Sequence, residues 1–534
     1  MNLSKTLSVT CAALLLAAGV AQAKPQVYVT GTVKYDPAKT FNSYVIMATK
    51  GTTKMIDRNG NLVKEWDNKS NGYAMPPKAF PGGIVGISWY NSLPTGGQDN
   101  NTLVFLDFDG NVVRQFNRFE KVDEIPGTPK DKNGETWVSR QHHDFQIEGM
   151  SVGYYAPGQT PKFDGKLLVL GHENSRHPGI NQNVLLDDVI LIVDKDQNII
   201  WKWAAADHFE ELGYTEDALH RTKSMGLPRN AQKHQGIDWL HINCASWLGP
   251  NKWYDEDPVK YAAFHPENII CDSRNTSHMF IIDHETGKIV WQVAPPFVGE
   301  DANLGKFAGI HHTHMIPKGL PGEGNILVFD NGGTMAGNKY IDQNHAYSRV
   351  VEFNPVTKKK VWEYSGPAVG VGESQADNLF YSAFISDAQR LPNGNTLINE
   401  GSCSRIFEVT PECETVWEFI NPDYSWPGLD RSIKTPRLTN MVYRAYRIPY
   451  EYVPQLEIPK QYPVVPENNS EFRIAAQTTA VSYDRAAQDK VKPFPEQHLN
   501  DAVDLASAKA RITDTHEDED AEDIPYNTME LKNY

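Results

Sequence analysis

Histidines in three short segments of the chain have the spacing that a chemical site would need. They are His142, His143, His241, His311, His312 and His314. A neutral imidazole serves as nucleophile, proton carrier or metal ligand, so its neighbours decide its chemistry. A single buried histidine is more often a hydrogen-bonded core residue, and a chemical role therefore depends on whether these segments converge.

Three kinds of chemistry are open to such a cluster. The alternation His312-Thr313-His314 puts both rings on one face of a strand, which suits metal binding only if that face lines the site. No carboxylate clearly joins this pair, and we assign no metal ligand and expect no cofactor. Nucleophilic catalysis by a neutral imidazole, with other donors stabilising the transferred group, is the second possibility. Ligand binding in an aromatic-rich channel is the third.

A repeated hairpin pattern predicts the elements that would hold these histidines. An apolar strand, a turn rich in Asp, Asn, Gly or Pro, and a second strand with aromatic residues recur six times. The copies occupy residues 54–67, 104–117, 191–204, 280–294, 350–365 and 406–420. Alternation at period two indicates β-hairpins, and their spacing is typical of propeller blades. The sequence therefore predicts an all-β, six-bladed β-propeller with long loops and a weakly ordered C-terminal tail.

Two further strands precede each of the last four hairpins, and they predict where the histidines lie. The first strand carries histidine in three of the four copies, and the second ends in polar residues that include His172, Arg274 and Asn331. These strands should be the inner pair of each blade. Because residues in one register of radially repeated blades converge on the axis, we expect a shared central site.

The ends of the chain predict export and a polar extension. A charged start, a short apolar run and the residues Ala21-Gln22-Ala23 are typical of a secretory signal peptide over residues 1–23. No later stretch is long and apolar enough to span a membrane. We therefore expect a periplasmic or secreted protein, with the propeller over residues 24–460 and a mostly polar, acidic extension over residues 461–534. A net charge of −16 without a basic cluster makes nucleic acid an unsuitable partner.

Four cysteines remain once the signal peptide is removed, and they suggest disulfides. An even number of cysteines in an exported protein favours two bridges, for which three pairings exist. We favour Cys244–Cys271 and Cys403–Cys413. A zinc site is the alternative, but no C-x₂-C spacing supports it.

Several motifs in order along the chain resemble the arylsulfate sulfotransferase (ASST) family of exported bacterial enzymes, in particular its shorter branch. They are YDPAKTFNSYVIMAT, DWLHIN, IICDSRNTSHMFIID, HHTHMIP, GNILVFDNGG, YSRVVEFNP, QRLPNGNTLINEG and NMVYRAYRIPYEYVPQL. The resemblance runs from about Val33 to about Leu456. It implies a six-bladed propeller that transfers a sulfuryl group, without PAPS, from small aromatic sulfate donors to phenolic acceptors.

The resemblance also implies roles for individual residues. His241 matches the histidine of the D-W-x-H-I-N motif, and His312 matches a second assisting histidine. The family's nucleophilic histidine belongs in the last inner strand, where residues 380–392 contain no histidine. Either another histidine of the channel, His142, His143 or His172, takes its place, or the mechanism through a sulfated histidine is absent.

Substrate binding is assigned to a second set of residues. They are His142, His314, Asn331, Arg274 and Arg349. The two arginines would substitute for an arginine that family members carry soon after the FDNG motif, where this chain has GTMAGNK. A propeller that binds ligands without catalysis remains the main alternative function, followed by a metal- or quinone-dependent oxidoreductase.

Overall fold

A computed structural model describes most of the chain between residues 29 and 466. The described ranges are 29–49, 51–69, 75–89, 98–123, 130–226, 236–293, 303–333, 347–424, 426–427 and 438–466. The expected signal peptide (1–23), the segment after FDNG and most of the C-terminal extension lie outside these ranges. The predictions made for them stay predictions.

Six small antiparallel sheets form a six-bladed β-propeller, as predicted. From the innermost strand outward, the first three blades consist of Ala445–Pro449, Ser43–Ala48, Thr52–Ile56 and Leu62–Asp67 (blade 1); Lys78–Phe80, Ile84–Trp89, Thr102–Leu106 and Val112–Phe116 (blade 2); Gln141–Ile147, Leu167–Ser175, Leu185–Val193 and Ile199–Ala204 (blade 3). The last three consist of Ile242–Trp247, Ile269–Ser273, His278–Ile282 and Ile289–Val293 (blade 4); His311–Met315, Ile326–Asp330, Arg349–Phe353 and Lys360–Tyr364 (blade 5); Asp387–Arg390, Thr396–Glu400, Arg405–Val409, Thr415–Ile420 and Gly31–Tyr35 (blade 6).

The remaining elements are short and lie between or beside the blades. Strand Ile237–Asp238 pairs in parallel with Leu185–Val193 of blade 3. Two small ribbons pair Glu120–Val122 with Thr136–Val138 and Trp426–Pro427 with Leu438–Thr439. The helical segments are Ala205–Leu212, Glu216–Ser224, Lys252–Glu256, Ala262–Phe264, Pro367–Val369, Glu373–Gln375, Ala376–Leu379, Gly401–Cys403 and Tyr450–Tyr452. No helix in the described ranges has the length and apolar character needed to cross a membrane.

The ring of blades is closed by strands from both ends of the described chain. Ala445–Pro449 pairs with Ser43–Ala48 as the innermost strand of blade 1, and Gly31–Tyr35 adds a fifth strand to blade 6. The sequence pattern did not reveal this exchange, because both closing strands lie outside the repeated hairpins. The closure brings the segment before Ala445 to the centre of the propeller.

The six predicted hairpins are confirmed as the outer two strands of the six blades, and their turn chemistry explains their form. In five of them an aspartate or asparagine side chain accepts backbone N–H groups of the turn, as Asp107 does from Asn111. Such turns favour a tight reversal of the chain. Each hairpin also has a register shift beside the turn, which increases the twist of the outer strands.

Tryptophans on the outermost strands join one blade to the next. Their indole N–H groups donate to backbone carbonyls of the following hairpin turn, in the pairs Trp66–Asp107, Trp203–Gly287, Trp291–Pro355, Trp362–Pro411 and Trp417–Arg58. The last pair joins blade 6 to blade 1 and so completes the ring. The aromatic positions of the sequence repeat therefore have a structural role at the blade interfaces.

The apolar core lies mainly between neighbouring blades. Phe105 of blade 2 packs edge-on against Phe145 of blade 3, with ring centroids 5.7 Å apart. Gly86 permits this contact, because a Cβ atom there would lie 2.8 Å from the Phe145 ring. Complete burial of such a side chain contributes about 1.5–3 kcal/mol to stability.

The predicted disulfides are wrong, since all four cysteines in the described ranges are free thiols. Cys244 pairs across the sheet with Asp272, so the neighbouring Cys271 points to the opposite face. Cys403 and Cys413 lie beyond opposite ends of strand Arg405–Val409, a separation of about five residues or 16 Å that no disulfide can bridge. Burial raises the pKa of each of these thiols, which keeps them protonated.

Candidate active site

Three histidines from consecutive blades share an uncommon backbone conformation at the centre of the propeller. His143, His241 and His312 have φ angles of 52°, 57° and 55°. Left-handed backbone at residues other than glycine costs of the order of 1–3 kcal/mol and clusters at functional sites. In blade 6, Ile385 has a φ angle of 54° just before the inner strand. The same backbone feature thus recurs in blades 3 to 6, with isoleucine in the last.

Four of the predicted site histidines form one continuous group. The rings of His142 and His172 are stacked with centroids 3.6 Å apart, and His143 lies edge-on to His142 at 4.9 Å. His143 also contacts His241, again with centroids 4.9 Å apart. The structure therefore brings together histidines from blade 3 and the entry to blade 4, which lie about 100 residues apart in sequence.

The Nδ1 atoms of His142 and His143 lie 2.7 Å apart, so one ring must donate a proton to the other. Burial lowers the pKa of both imidazoles well below the usual value, and neighbouring histidines lower it further. Both rings are therefore neutral at physiological pH. His143 Nε2 has no hydrogen-bond partner among the described residues.

His241 is oriented by a carboxylate from its own motif. Its Nδ1 donates to Asp238 at 2.5 Å, and the Asp238 residue lies on the short strand that pairs with blade 3. Burial lowers the pKa of His241, although the Asp238 carboxylate opposes that shift. The hydrogen bond favours the tautomer of His241 that carries its proton on Nδ1.

His312 and His314 form a second group with two buried tyrosines. His312 Nδ1 donates to the Ala388 carbonyl, and its Nε2 lies 3.3 Å from the Tyr446 hydroxyl. His314 Nδ1 donates to the His312 carbonyl, and its Nε2 accepts from the Tyr154 hydroxyl at 2.7 Å. Since these nitrogens are engaged, the H-x-H alternation does not present two free metal ligands. Burial lowers the pKa of His314 to about 4 and that of His312 well below its usual value.

Arg444 is the residue that sequence reasoning missed. Its guanidinium is fully buried, donates through Nη2 to the Asn243 carbonyl of blade 4, and lies 3.5 Å through Nη1 from the Asp144 carboxylate of blade 3. Arg444 Nε has no hydrogen-bond partner among the described residues. In the sequence, the alternation Tyr443-Arg444-Ala445-Tyr446 could have indicated a strand at this position. Only the pairing of Ala445–Pro449 with blade 1 shows that Arg444 reaches the centre of the propeller.

The charge of Arg444 reaches four of the histidines. After burial, it contributes to lowering the pKa of His143, His311, His312 and His314. Asp144 is also paired with the buried Lys78, and its Oδ2 accepts from the Ala245 backbone N–H. Arg444 and Lys78 therefore share one carboxylate, that of Asp144, beside the neutral imidazoles.

The other predicted substrate-binding residues fall into different environments. Arg274 lies near His241 and His311 and, after burial, helps to lower the pKa of both. Asn331 accepts from His311 Nδ1 at 2.7 Å and donates to the Ser382 and Ile385 carbonyls. Arg349 Nε and Nη2 both donate to Asp330 Oδ2, at 2.9 and 2.6 Å, which commits its guanidinium to blade 5.

The fold and the site define the class of protein. It is a β-propeller with buried histidines and a buried arginine at its centre. The family model for Arylsulfotransferase (ASST) matches residues 158–444, more than half of the chain. The chain belongs to this family, which supports a sulfotransferase-like enzyme with phenolic substrates. The matched range includes His172, His241, His312 and Arg444. No curated protein sequence matches the chain.

The chain is similar to several solved structures at low sequence identity and low TM-score. A Bacteroides caccae protein of unknown function is 12% identical, with a TM-score of 0.37, and the match covers 76% of this chain and 99% of that one. The Cps50 (Swd1) propeller of Myceliophteria thermophila is 7% identical, with a TM-score of 0.33 and coverages of 75% and 90%. A putative 6-phosphogluconolactonase from Bacteroides fragilis is 9% identical, with a TM-score of 0.33 and coverages of 77% and 100%. Similarities of this size carry no functional argument.

Proposed function

We propose that this protein transfers a sulfuryl group, without PAPS, from a phenolic sulfate ester to a phenolic acceptor, with His143 as the nucleophile. The observation that carries the proposal is the fully buried Arg444 guanidinium, whose Nε donor is unsatisfied among neutral imidazoles. A buried cation with an open donor favours an anionic ligand, and a sulfate ester supplies one. Membership of the ASST family supports the reaction class. We also propose that the reaction takes place outside the cytoplasm, because the sequence predicts a signal peptide over residues 1–23.

Arg444 would bind the oxygens of the sulfuryl group. Charge on these oxygens changes as the sulfur moves between donor and nucleophile, and a positioned guanidinium stabilises that change in a site without bulk water. The Asn243 carbonyl and the Asp144 carboxylate hold the guanidinium in place. We therefore assign the arginine role to Arg444 rather than to Arg349.

His143 has the features of a neutral nitrogen nucleophile. If its Nδ1–H donates to His142 Nδ1, the lone pair lies on the unpartnered Nε2. Nε2 attacks sulfur, the bond between sulfur and the aryl oxygen breaks, and the phenolate leaves with the electron pair. The sulfated ring becomes cationic, and the hydrogen bond to His142 stabilises that charge.

His241 is suited to move the proton in the second half of the reaction. Asp238 keeps the Nδ1 proton in place, so Nε2 accepts the proton of the acceptor phenol. The phenol oxygen attacks sulfur, the bond from sulfur to His143 breaks, and the proton passes on to the first phenolate. The net reaction exchanges one phenolic sulfate ester and one phenol for another such pair.

Ile385 is the reason why we assign the nucleophile to blade 3 and not to blade 6. The family pattern places the nucleophilic histidine in the last inner strand, and Ile385 there has the left-handed backbone of His143, His241 and His312. An isoleucine cannot attack sulfur. His143 has the same backbone conformation and, after burial, the electrostatic influence of Arg444.

The test is acceptor-dependent turnover of 4-nitrophenyl sulfate with phenol. We expect nitrophenolate release to require phenol and to be abolished by His143→Gln. His278→Gln is the matched control, because His278 is a buried histidine that bonds to Gln292 in blade 4. Equal turnover by the His143 variant and the control would contradict the nucleophile assignment.

The isoleucine at position 385 also favours one second candidate, a propeller that binds sulfated phenols without turning them over. The Arg444 site would serve that function equally well, since it needs no nucleophile. Saturable binding of 4-nitrophenyl sulfate without release of nitrophenolate, with any of several phenols, would favour it. Binding that requires Arg444, together with turnover that requires His143, would favour the enzyme.

A further inference from the structure

We propose that His142, His172 and Asp188 form a binding site for a divalent transition metal, with zinc as the best-matched ion. The three side chains are between 0 and 2% exposed. His142 Nε2, His172 Nε2 and Asp188 Oδ2 have no hydrogen-bond partner among the described residues. Buried polar atoms without partners are rare, and three that converge indicate a ligand that joins them. The observations that carry this proposal do not depend on sulfuryl transfer, although His142 also belongs to the His142–His143 pair.

The candidate ligand atoms lie close enough together for a single metal ion to join them. Asp188 Oδ1 lies 3.4 Å from His142 Nε2 and 3.6 Å from His172 Nε2. The ligand atoms of all three residues lie within 4.8 Å of one another. With metal–ligand bonds of about 2.1 Å, neighbouring ligand atoms around zinc are about 3.4 Å apart.

The three residues come from adjacent strands of one sheet, which fixes their positions. His172 and Asp188 are directly opposite each other on the second and third strands of blade 3, so their side chains share a face. His142 lies on the neighbouring first strand, and its ring stacks on His172 at an interplanar angle of 13°. Because a metal binds in the plane of an imidazole, coordination requires the rings to rotate until their Nε2 lone pairs meet.

A second layer of hydrogen bonds prepares His172 for a metal. His172 Nδ1 donates to Asp99 Oδ1 at 2.6 Å, and Asp99 Oδ2 accepts from Arg140 Nε at 2.7 Å. A carboxylate on Nδ1 orients the ring and leaves the Nε2 lone pair for a metal, as in carboxylate–histidine–zinc triads. The ion pair with Arg140 keeps Asp99 in this orientation.

The charges around the site favour a cation. Asp188 and Asp238 are both on strands of the same sheet, and Asp188 Oδ2 has no hydrogen-bond partner among the described residues. A divalent ion would stabilise the ionised form of both carboxylates. Two imidazoles with one carboxylate are a ligand set for zinc or another late first-row metal rather than for calcium. A tetrahedral ion would keep one position open.

The experiment measures metal binding by untagged full-length protein after treatment with a chelator. We expect one equivalent of Zn²⁺ to bind in a calorimetric titration, and one equivalent of Co²⁺ to give the visible absorption of a tetrahedral site. His172→Gln and Asp188→Asn should each abolish both signals. Asp99→Asn should weaken binding by about 10–100-fold, the usual effect of losing a partner of a ligating histidine.

Two controls separate loss of the site from loss of the fold. Asn at position 188 can still accept from the Ile242 N–H, the bond that Asp188 makes to the next blade. His278→Gln removes a buried histidine elsewhere and should bind Zn²⁺ like the unmodified protein. Absence of binding by the unmodified protein would overturn the proposal, as would binding that survives unchanged in both the His172 and Asp188 variants.

Discussion

The Nδ1 atom of His241 lies 2.5 Å from the carboxylate of Asp238, and this pair spans the junction between blades 3 and 4. Asp238 pairs with the third strand of blade 3, whereas His241 directly precedes the inner strand of blade 4. A four-residue stretch therefore crosses from one blade to the next while it forms a hydrogen-bonded carboxylate–imidazole pair. The pair favours the tautomer of His241 that carries its proton on Nδ1.

Removal of the Asp238 charge should slow sulfuryl transfer more than it weakens substrate binding. In Asp238→Asn the amide no longer selects the Nδ1–H tautomer, so we expect kcat to fall by about 10²–10⁴-fold with a small change in KM. Steady-state kinetics with 4-nitrophenyl sulfate and phenol measure both constants. Glu211→Gln is the matched control, because Glu211 lies 3.1 Å from His208 in a surface segment. If Asp238→Asn keeps an unchanged kcat, as Glu211→Gln is expected to do, His241 is excluded as the proton carrier.

Arg444 should be sensitive to the loss of its planar guanidinium even when its charge is kept. A lysine cannot reproduce the contacts to the Asn243 carbonyl and the Asp144 carboxylate while presenting a further donor to the substrate. We expect Arg444→Lys to reduce kcat/KM by about 10²–10³-fold, the usual cost of one lost oxyanion donor. Arg114→Lys serves as the control, since Arg114 binds only backbone carbonyls among its described hydrogen-bond partners. Similar kinetics for both variants would remove Arg444 from the reaction.

The sequence predicted the architecture well because the information about blades is local. Each hairpin combines alternation, a turn with Asp or Asn, and aromatic outer positions, all within about 15 residues. Closure of the ring is not local, since Ala445 pairs with Met47 across most of the chain. Arg444, which reaches the centre only through that closure, was therefore missed.

The candidate site was predicted in part for the same reason. The repeated inner strands identified the segments that bring His143 and His241 together, but the direction of each side chain depends on left-handed backbone and register shifts. Alternation along a strand does not reveal these features. The disulfide predictions were wrong because they rested on an even number of cysteines in a protein expected to be exported. Cys244 and Cys271 instead point to opposite faces of one sheet.

Two buried aspartates that join neighbouring blades should make stability depend on pH. Asp272 accepts from the Thr313 N–H and Asp387 from the Ala445 N–H, and burial raises the pKa of each to about 7. The folded-state pKa of each of these carboxyl groups exceeds its unfolded value of 3.8. The stability contributed by protonation is therefore complete below pH 3.8 and is lost as pH rises towards 7. Each group contributes a slope of about 1.4 kcal/mol per pH unit within this window.

Urea unfolding between about pH 4.5 and 7.5 measures this dependence. We expect Asp272→Asn to flatten the decline in the free energy of unfolding, since the amide still accepts from Thr313 but does not titrate. Asp107→Asn is the control, because hydrogen bonds in its exposed turn lower the pKa of Asp107 and keep it ionised over this range. Parallel curves for the unmodified protein and the Asp272 variant would show that Asp272 does not titrate in this window.

Zinc should inhibit sulfuryl transfer if both proposals hold. A metal on His142 Nε2 places the His142 proton on Nδ1, so this ring must donate to His143 Nδ1. His143 then carries its proton on Nε2 and loses the lone pair that attacks sulfur. We expect the transfer rate to fall in proportion to zinc occupancy and to return with a chelator. Full activity of the zinc-loaded protein would contradict the coupling between His142 and His143.

The most direct test of sulfuryl transfer through His143 is to trap the intermediate. The protein is mixed with 4-nitrophenyl sulfate in the absence of a phenolic acceptor, quenched at neutral to alkaline pH, digested and analysed by mass spectrometry. We predict one added SO₃ group on the peptide that contains His143, and its loss on addition of phenol before the quench. Phenol-dependent turnover with an unmodified His143 peptide, or with the sulfuryl group on another residue, would contradict this account.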